Sequence, residues 1–327
     1  MIPRTLFTAE HDDFRKTVRR FFETEVVPHR EAWDEQQHVD RAVWNKAGEL
    51  GLLCATMPAP YINNFGTHDQ KAKYLPKLAS GEMIGAIAMT EPGTGSDLQA
   101  VKTTAVLDGD DYVLNGSKIF ITNGYLSDLV IVVAKTGNSG EGAKDISLLI
   151  VEASSPGFTK GKPLKKVGMK AQDTCELFFN DVRVPKANLL GQQGMGFIML
   201  MKELAWERLI IAITSVAGAE AALKHTLEYT RSRKVFGKPV ASFQNTRFKL
   251  AEMKSELSIA RVYVDRCLEM TLTGKLGVED AAIAKYWTSD LMNKVIDECV
   301  QLFGGYGYMT EYPIARLYAD ARVQKIY

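Results

Sequence analysis

The spacing of apolar residues changes twice along the chain. From Thr8 onward, Phe14, Val18, Phe21, Phe22 and Val26 recur at three- and four-residue steps, which places them on one helical face as far as Pro28. Thr67 and Gln70 have capping-box spacing, with a threonine that can accept from a free backbone N–H and a glutamine that can reach back to the cap, so a second helix is expected there. Between Lys102 and Asp181 the helical period disappears. Val113, Ile119, Ile121, Val130, Val132, Leu148, Ile150, Phe178 and Phe179 fall instead in short strand-like runs broken by turn residues. Asn115-Gly116 within this region is a hairpin signal, because both central positions of a type I′ turn need positive φ. After Gly196 the helical period returns, with Phe197, Leu200, Leu204, Arg208 and Ile211 on one face, followed by a second stripe of Leu250, Met253, Leu257, Ala260, Val264 and Cys267. The order is therefore helical, then β, then a helix bundle, without the strand-helix alternation of a doubly wound sheet.

Length and charge narrow the classes. The chain has 327 residues and no stretch of Pro, Gly or Ser that reads as a linker, which predicts one compact body with subdomains. Lys plus Arg number 40 against 39 Asp plus Glu, so there is no basic excess for nucleic acid, and none is expected as a partner. Cys54, Cys175, Cys267 and Cys299 are widely separated, which points to buried free thiols in a reducing compartment and to no metal site. The N-terminal region, with Glu10, Asp12 and Asp13, lacks the character of a transit or secretory peptide, and no run has the length of a membrane span. A soluble cytoplasmic protein is expected.

Familiar catalytic signatures are missing. Gly304-Gly305-Tyr306-Gly307 follows a helical pattern and precedes Pro313, which is not the strand-to-helix setting of a Rossmann fingerprint. The sequence has no Walker loop, nucleophile elbow or His-Glu-x-x-His, and His225, inside a helical stretch, reads as structural.

Four blocks carry a resemblance. AMTEPGTGSD at 88–97 with NGSKIFITNG at 115–124, GMKAQDTCELFFNDVRVP at 168–185, RSRKVFGKPVASFQ at 231–244, and CVQLFGGYGYMTEYPIARLYADARVQKIY from 299 to the end together resemble the acyl-CoA dehydrogenase family over nearly the whole chain. The resemblance implies a mostly α, α+β fold with an N-terminal helical domain, a central β-barrel-like domain and a C-terminal four-helix bundle, here at 1–85, 86–190 and 191–327. It also implies FAD, an acyl-CoA substrate, a homotetramer, and transfer of electrons to an electron-transferring flavoprotein. An acyl-CoA oxidase and a non-catalytic CoA-ester binding protein are the alternatives.

The resemblance assigns residues as well. Met89, Thr90, Gly95 and Ser96 would meet the flavin or its phosphates, Thr122 would donate toward the ring and Phe120 would pack beside it. A glycine-rich loop suits this because it lets backbone N–H groups approach a ligand closely. Arg233, Phe236, Gln244, Gln301, Gly304 and Gly305 match positions on the adenosine and pyrophosphate side, the arginine reaching FAD held mainly by a neighbouring subunit; a guanidinium fork suits a pyrophosphate. Ser96, Trp206 and Arg208 match the substrate side.

Glu207, in AWERLIIA, is the candidate base. By spacing alone it is an ion-pairing residue on a solvated helix face, near Lys202, Glu203 and Arg208. The resemblance, closest to long-chain and isovaleryl types, makes it the carboxylate that removes the α-proton. Two departures accompany the match. After ATMP at 55–58 the family continues for roughly forty residues before the text that here starts at Ala59, and relatives extend beyond Tyr327 with a loop whose N–H helps polarise the thioester carbonyl.

Overall fold

The computed structural model describes residues 2–53 and 58–327; Cys54 and most of the ATMP stretch lie outside the described residues. The chain separates into two compact units.

The first unit comprises Asp13–Lys166 and Lys170–Glu203. It holds most of α1 (Ala9–Phe21), then α2 (Arg30–Gln36), α3 (Arg41–Glu49), α4 (Ala59–Phe65) and α5 (His68–Ser80). The expected single apolar face before Pro28 is only partly used. Phe21 is buried with Ala47 and Leu53, but Phe14 is 51% and Phe22 50% exposed, and α1 gives way to a π-helical turn at Phe22–Val26 that shifts the register of the side chains after it. The cap of α5 is as expected: Thr67 Oγ1 accepts from Gln70 N at 3.2 Å and Gln70 Oε1 accepts from Thr67 N at 3.0 Å. Gln70 Nε2 also donates to the carbonyls of Ala187 and Leu189, which accounts for a buried amide at a helix start.

Eight strands make one mixed sheet: β1 (Gly85–Ala88), β2 (Thr104–Asp108), β3 (Asp111–Thr122), β4 (Leu129–Lys135), β5 (Ile146–Glu152), β6 (Phe158–Lys160), β7 (Thr174–Pro185) and β8 (Leu189–Leu190). Their order is β6-β7-β3-β2-β4-β5-β8, with β1 parallel to β4. Strands β4 and β5 are apolar at nearly every position because both faces are covered. Val130, Val132 and Ala134 join one cluster with Leu177 and Phe179 of β7, while Leu129, Ile131 and Val133 join another with Tyr61, Tyr74, Met199 and Leu200.

Asn115-Gly116 is not a hairpin. It lies inside the continuous strand β3, at a register shift against β7, and the turn between β2 and β3 is made by Gly109-Asp110 instead. Pairing with β7 along most of β3 outweighs the local turn preference of the dipeptide. Gly116 is needed for another reason: its φ is 149°, and a Cβ there would lie 2.5 Å from Thr103 Oγ1 and 2.8 Å from Thr103 Cα.

The second unit comprises the chain up to Asp12, Val167–Met169 and Leu204–Tyr327. Three long helices, α6 (Gly196–Ser232), α7 (Gln244–Leu272) and α8 (Val278–Phe303), are joined by the short α9 (Pro313–Ala321). The stripe from Leu250 to Cys267 is buried at every expected position. It packs with Leu209, Ala212, Val216 and Ala219 of α6 and Val295, Ile296 and Cys299 of α8. Arg261 of α7, itself buried, forks onto the Glu220 carboxylate of α6 at 3.2 and 2.6 Å. The N-terminal segment is attached in the same manner, with Arg4 Nε and Nη2 donating to the two oxygens of Asp265 at 2.8 and 2.6 Å. Cys175, Cys267 and Cys299 are free and buried, and among the described residues no helix is long and apolar enough to cross a membrane.

Gly116→Ala is expected to destabilise the protein by about 1–3 kcal/mol, since the added methyl meets backbone as well as side chain. A urea-denaturation midpoint unchanged from wild type would show that the close approach to Thr103 imposes no constraint.

Candidate functional site

The residues assigned to the flavin side fall on two segments of the first unit. One is the loop that leaves β1 at Met89 and returns to β2 at Thr104; the other is the end of β3. The loop is closed by its own bonds: Glu91 and Thr94 exchange N–H···O=C bonds at 2.9 and 3.0 Å, and Thr94 Oγ1 donates to the Ala100 carbonyl at 3.1 Å. Ile119 N of β3 donates to the Thr90 carbonyl at 2.9 Å, which ties the two segments together. No atom lies within 4 Å of where a Cβ would stand on Gly93 or Gly95. Among the described residues the Gly95 and Ser96 N–H groups have no protein acceptor, so the glycine tip presents backbone donors to open space.

A bulge sets the direction of the side chains on β3. Lys118 pairs with Leu177 and Ile121 with Cys175, so three steps on β3 span two on β7. Strict alternation would place Phe120 and Thr122 on the same face as Lys118. The extra residue, with Phe120 at φ 59°, turns Lys118 and Ile121 inward while Phe120 and Thr122 face out, and Phe120 is 63% exposed. The turn after Thr122 is anchored in turn: Asn123 N donates to the Asp173 carbonyl at 3.0 Å, and the Asp173 carboxylate accepts from Leu126 N at 2.9 Å. Burial pushes the Asp173 carboxyl above its ordinary range.

Behind this surface lies an ion pair that the sequence reading did not single out, although both members sit inside the quoted motifs. Lys118 is 0% exposed and its Nζ donates to Glu91 Oε1 at 2.8 Å and to the Met89 carbonyl at 3.0 Å. Glu91 also accepts from Lys102 N at 2.6 Å and Thr103 N at 3.0 Å. Burial lowers the Lys118 ammonium to about 8, against the opposing pull of Glu91. Burial alone would raise the Glu91 carboxyl, yet the bond to Lys118 and its other hydrogen bonds hold it below the usual carboxylate value. The signal available in sequence was a lysine at a position where the strand pattern calls for an apolar side chain.

In the second unit, Arg233 directly follows α6, and its guanidinium carbon is 5.6 Å from the centre of the Tyr306 ring. Tyr306 follows Gly304 and Gly305, which have open space beyond their Cα atoms, and Gly304 has φ 61°. This corner is braced by Tyr229, whose ring stacks on Phe303 at 4.1 Å and whose hydroxyl donates to the Phe303 carbonyl at 3.2 Å. The structure therefore brings Arg233 to the Gly304-Gly305 turn. Phe236 occupies the tight turn between two short strands, β9 (Lys234–Val235) and β10 (Lys238–Pro239), with φ 49° and 93% exposure. Gln244 opens α7 and Gln301 lies in the last turn of α8, both exposed.

Trp206, Glu207 and Arg208 are consecutive on α6 and all half-buried. Trp206 packs against the bundle core. Burial and the neighbouring Arg208 charge both lower the Lys285 ammonium of α8, so Arg208 faces α8. Ser96, the third residue assigned to substrate, is on the loop of the first unit. No group of three or more His, Cys, Asp or Glu able to hold a metal occurs among the described residues.

Three family models match the chain: acyl-CoA dehydrogenase N-terminal domain at residues 8–62, middle domain at 86–182, and C-terminal domain at 194–327. The mouse (Mus musculus) mitochondrial long-chain specific acyl-CoA dehydrogenase is 48% identical over 362 residues, covering 99% of this chain and 84% of that protein. That match is longer than the 327-residue chain, so the relative carries residues within it that this chain lacks. Among solved structures, acyl-CoA dehydrogenase from Geobacillus kaustophilus superposes with a TM-score of 0.97 at 43% identity, covering 99% of this chain and 96% of that one. An acyl-CoA dehydrogenase from Bacillus anthracis, solved in complex with FAD, gives 0.91 at 33% identity, covering 98% and 64%.

The depressed ammonium of Lys118 has a consequence for stability. Between about 8 and 10.5 the unfolded chain holds this proton and the folded chain does not, so Lys118 makes stability rise with pH across that window. The unfolding free energy of wild type minus that of Lys118→Met is expected to grow by about 1–2 kcal/mol from near pH 7.5 to near pH 9.5. A difference that stays flat in paired denaturation curves would place the lysine's proton affinity close to that of a free side chain.

Proposed function

Because this chain belongs to the acyl-CoA dehydrogenase family, we propose that it oxidises a long-chain fatty-acyl-CoA at C2 and C3 to the trans-2-enoyl-CoA, with electron-transferring flavoprotein as acceptor. The enzyme is an oxidoreductase and its cofactor is FAD. When bound, FAD supplies a two-electron acceptor for the hydrogen that leaves C3 with its electron pair. The rest is done by the chain's own residues.

The observation that carries this reading is the surface formed by the glycine tip and the bulged end of β3. Gly93 and Gly95 leave room for a ligand, the Gly95 and Ser96 N–H groups are available as donors, Thr122 offers a hydroxyl, and Phe120 offers an exposed ring. A planar, carbonyl-rich ring system needs these features together. Met89 and Thr90 enter the same surface from the β1 side. Ser96 is assigned to both flavin and substrate.

Glu207 is assigned as the base. Removing the C2 proton requires an ionised carboxylate, and Glu207 is a half-buried carboxylate on α6 next to Trp206, which packs against the bundle core. Arg208 and Trp206 are assigned to the substrate's surroundings. Glu207 would take the C2 proton, the electron pair of that C–H bond would become the C2–C3 double bond, and the hydrogen on C3 would leave with its own pair to a bound two-electron acceptor.

Assembly as a homotetramer is part of the proposal. Arg233, Phe236, Gln244, Gln301, Gly304 and Gly305 are all exposed on the single chain, which supports their use on FAD held mainly by another copy. The 48% identity to the mouse long-chain specific enzyme supports the long acyl chain, and three buried free thiols are in keeping with a cytoplasmic, reducing location.

Glu207→Gln is expected to keep its FAD and to lose about 10²–10⁴-fold in turnover, measured with a series of acyl-CoA chain lengths and an artificial electron acceptor. Residual activity near that of wild type removes Glu207 from the role. Hydrogen peroxide formed in proportion to substrate, with no reduction of electron-transferring flavoprotein, would make the enzyme an oxidase instead.

A further inference from the structure

Glu91 and Lys118 take no part in the chemistry above, and their burial is costly. An ammonium and a carboxylate removed from water lose hydration that their mutual attraction only partly returns, and a pair of apolar side chains in their place is often as stable or more so. Stability alone therefore does not explain the pair.

Its geometry offers another role. The Met89 carbonyl, which accepts from Lys118 Nζ, is where the loop leaves β1; the Lys102 and Thr103 N–H groups, which donate to Glu91, are where it returns. The pair thus closes the neck of the 89–103 loop, and Lys118 fastens that neck to β3 two residues ahead of Phe120. Lys118 shares the inward phase of Tyr112 and Leu114, and the bulge that follows it lets Phe120 and Thr122 face the other way.

We infer that Glu91 and Lys118 are positioning residues for the cofactor surface: they hold the glycine loop and the bulged end of β3 as one preformed wall before the flavin arrives. This rests on the assignment of FAD to that wall. A surface already ordered spends none of the binding free energy on ordering, so affinity is higher than for a loop that must be arranged by its ligand.

The test uses full-length protein from which flavin has been removed, titrated with FAD. Lys118→Met and Glu91→Gln are each expected to weaken FAD binding by about tenfold or more, the size of one lost charged hydrogen bond, and to shift the visible spectrum of the bound flavin. Val184→Ala, a cavity at a buried β7 position paired with Tyr112, serves as the control: it is expected to lower thermal stability while FAD affinity stays within about twofold of wild type. Pair variants that bind FAD like wild type, or that lose no more affinity than this control, overturn the inference.

A second measurement needs no variant. In flavin-free wild type, the Lys102 and Thr103 amides are expected to be as protected from hydrogen exchange as in the FAD-bound form, because Glu91 holds them in both. If they exchange freely until FAD is added, the wall is formed by its ligand and the inference fails. Gly95→Val separates this failure from that of the underlying assignment. It fills the open face, so unchanged FAD affinity in that variant would show that FAD does not lie there at all, whereas weakened affinity alongside silent pair variants would reject only the positioning role.

Discussion

Water cannot reach the Lys118 ammonium, so every bond that solvent would have made has to come from the chain. The Met89 carbonyl and the Glu91 carboxylate provide acceptors for two of its three N–H groups, and Glu91 also accepts from two backbone N–H groups at the far end of the same loop. Each member fixes something the other needs. A shift of β3 by one residue would turn the ammonium to the opposite face and leave Glu91 buried without its partner; an opened loop would leave both charges unpaired. The glycine tip can consequently be short of side chains without being short of definition, since its conformation is set at its neck.

The helical unit is organised by different physics. Its long helices bury stripes of apolar residues, and one fork between Arg261 and Glu220 links α7 with α6. Most of what the family resemblance assigns in this unit lies at helix ends and turns: Arg233 at the end of α6, Gln244 at the start of α7, Gln301, Gly304 and Gly305 where α8 stops. Helix termini carry the unpaired backbone groups and the sharp changes of direction, which is why ligand contacts gather there. Packing holds the cylinders in place, and their ends are left to do the recognition.

How much of this was legible in the sequence depended on range. The α7 stripe was read correctly because a periodic pattern over many residues leaves one face to bury. The α5 cap was read because its two partners are three residues apart. Asn115-Gly116 was misread because its local preference for a turn competes with a partner strand some sixty residues later, which no local pattern reveals. The Glu91–Lys118 pair escaped for the same reason: the misplaced lysine marks one end of it, but its partner 27 residues earlier is shown only by the fold, which sets them 2.8 Å apart. Phe14 shares the apolar spacing of its helix yet is half exposed, since amphipathic spacing states which face could be covered and not whether anything covers it.

The fork between Arg4 and Asp265 joins residues 261 positions apart. A ribosome releases the arginine long before the aspartate exists, so Arg4 has no Asp265 to bind through synthesis of the sheet and of α6. Capture of Arg4 by Asp265 closes a very large loop, so this charge pair forms after the elements it joins rather than nucleating them.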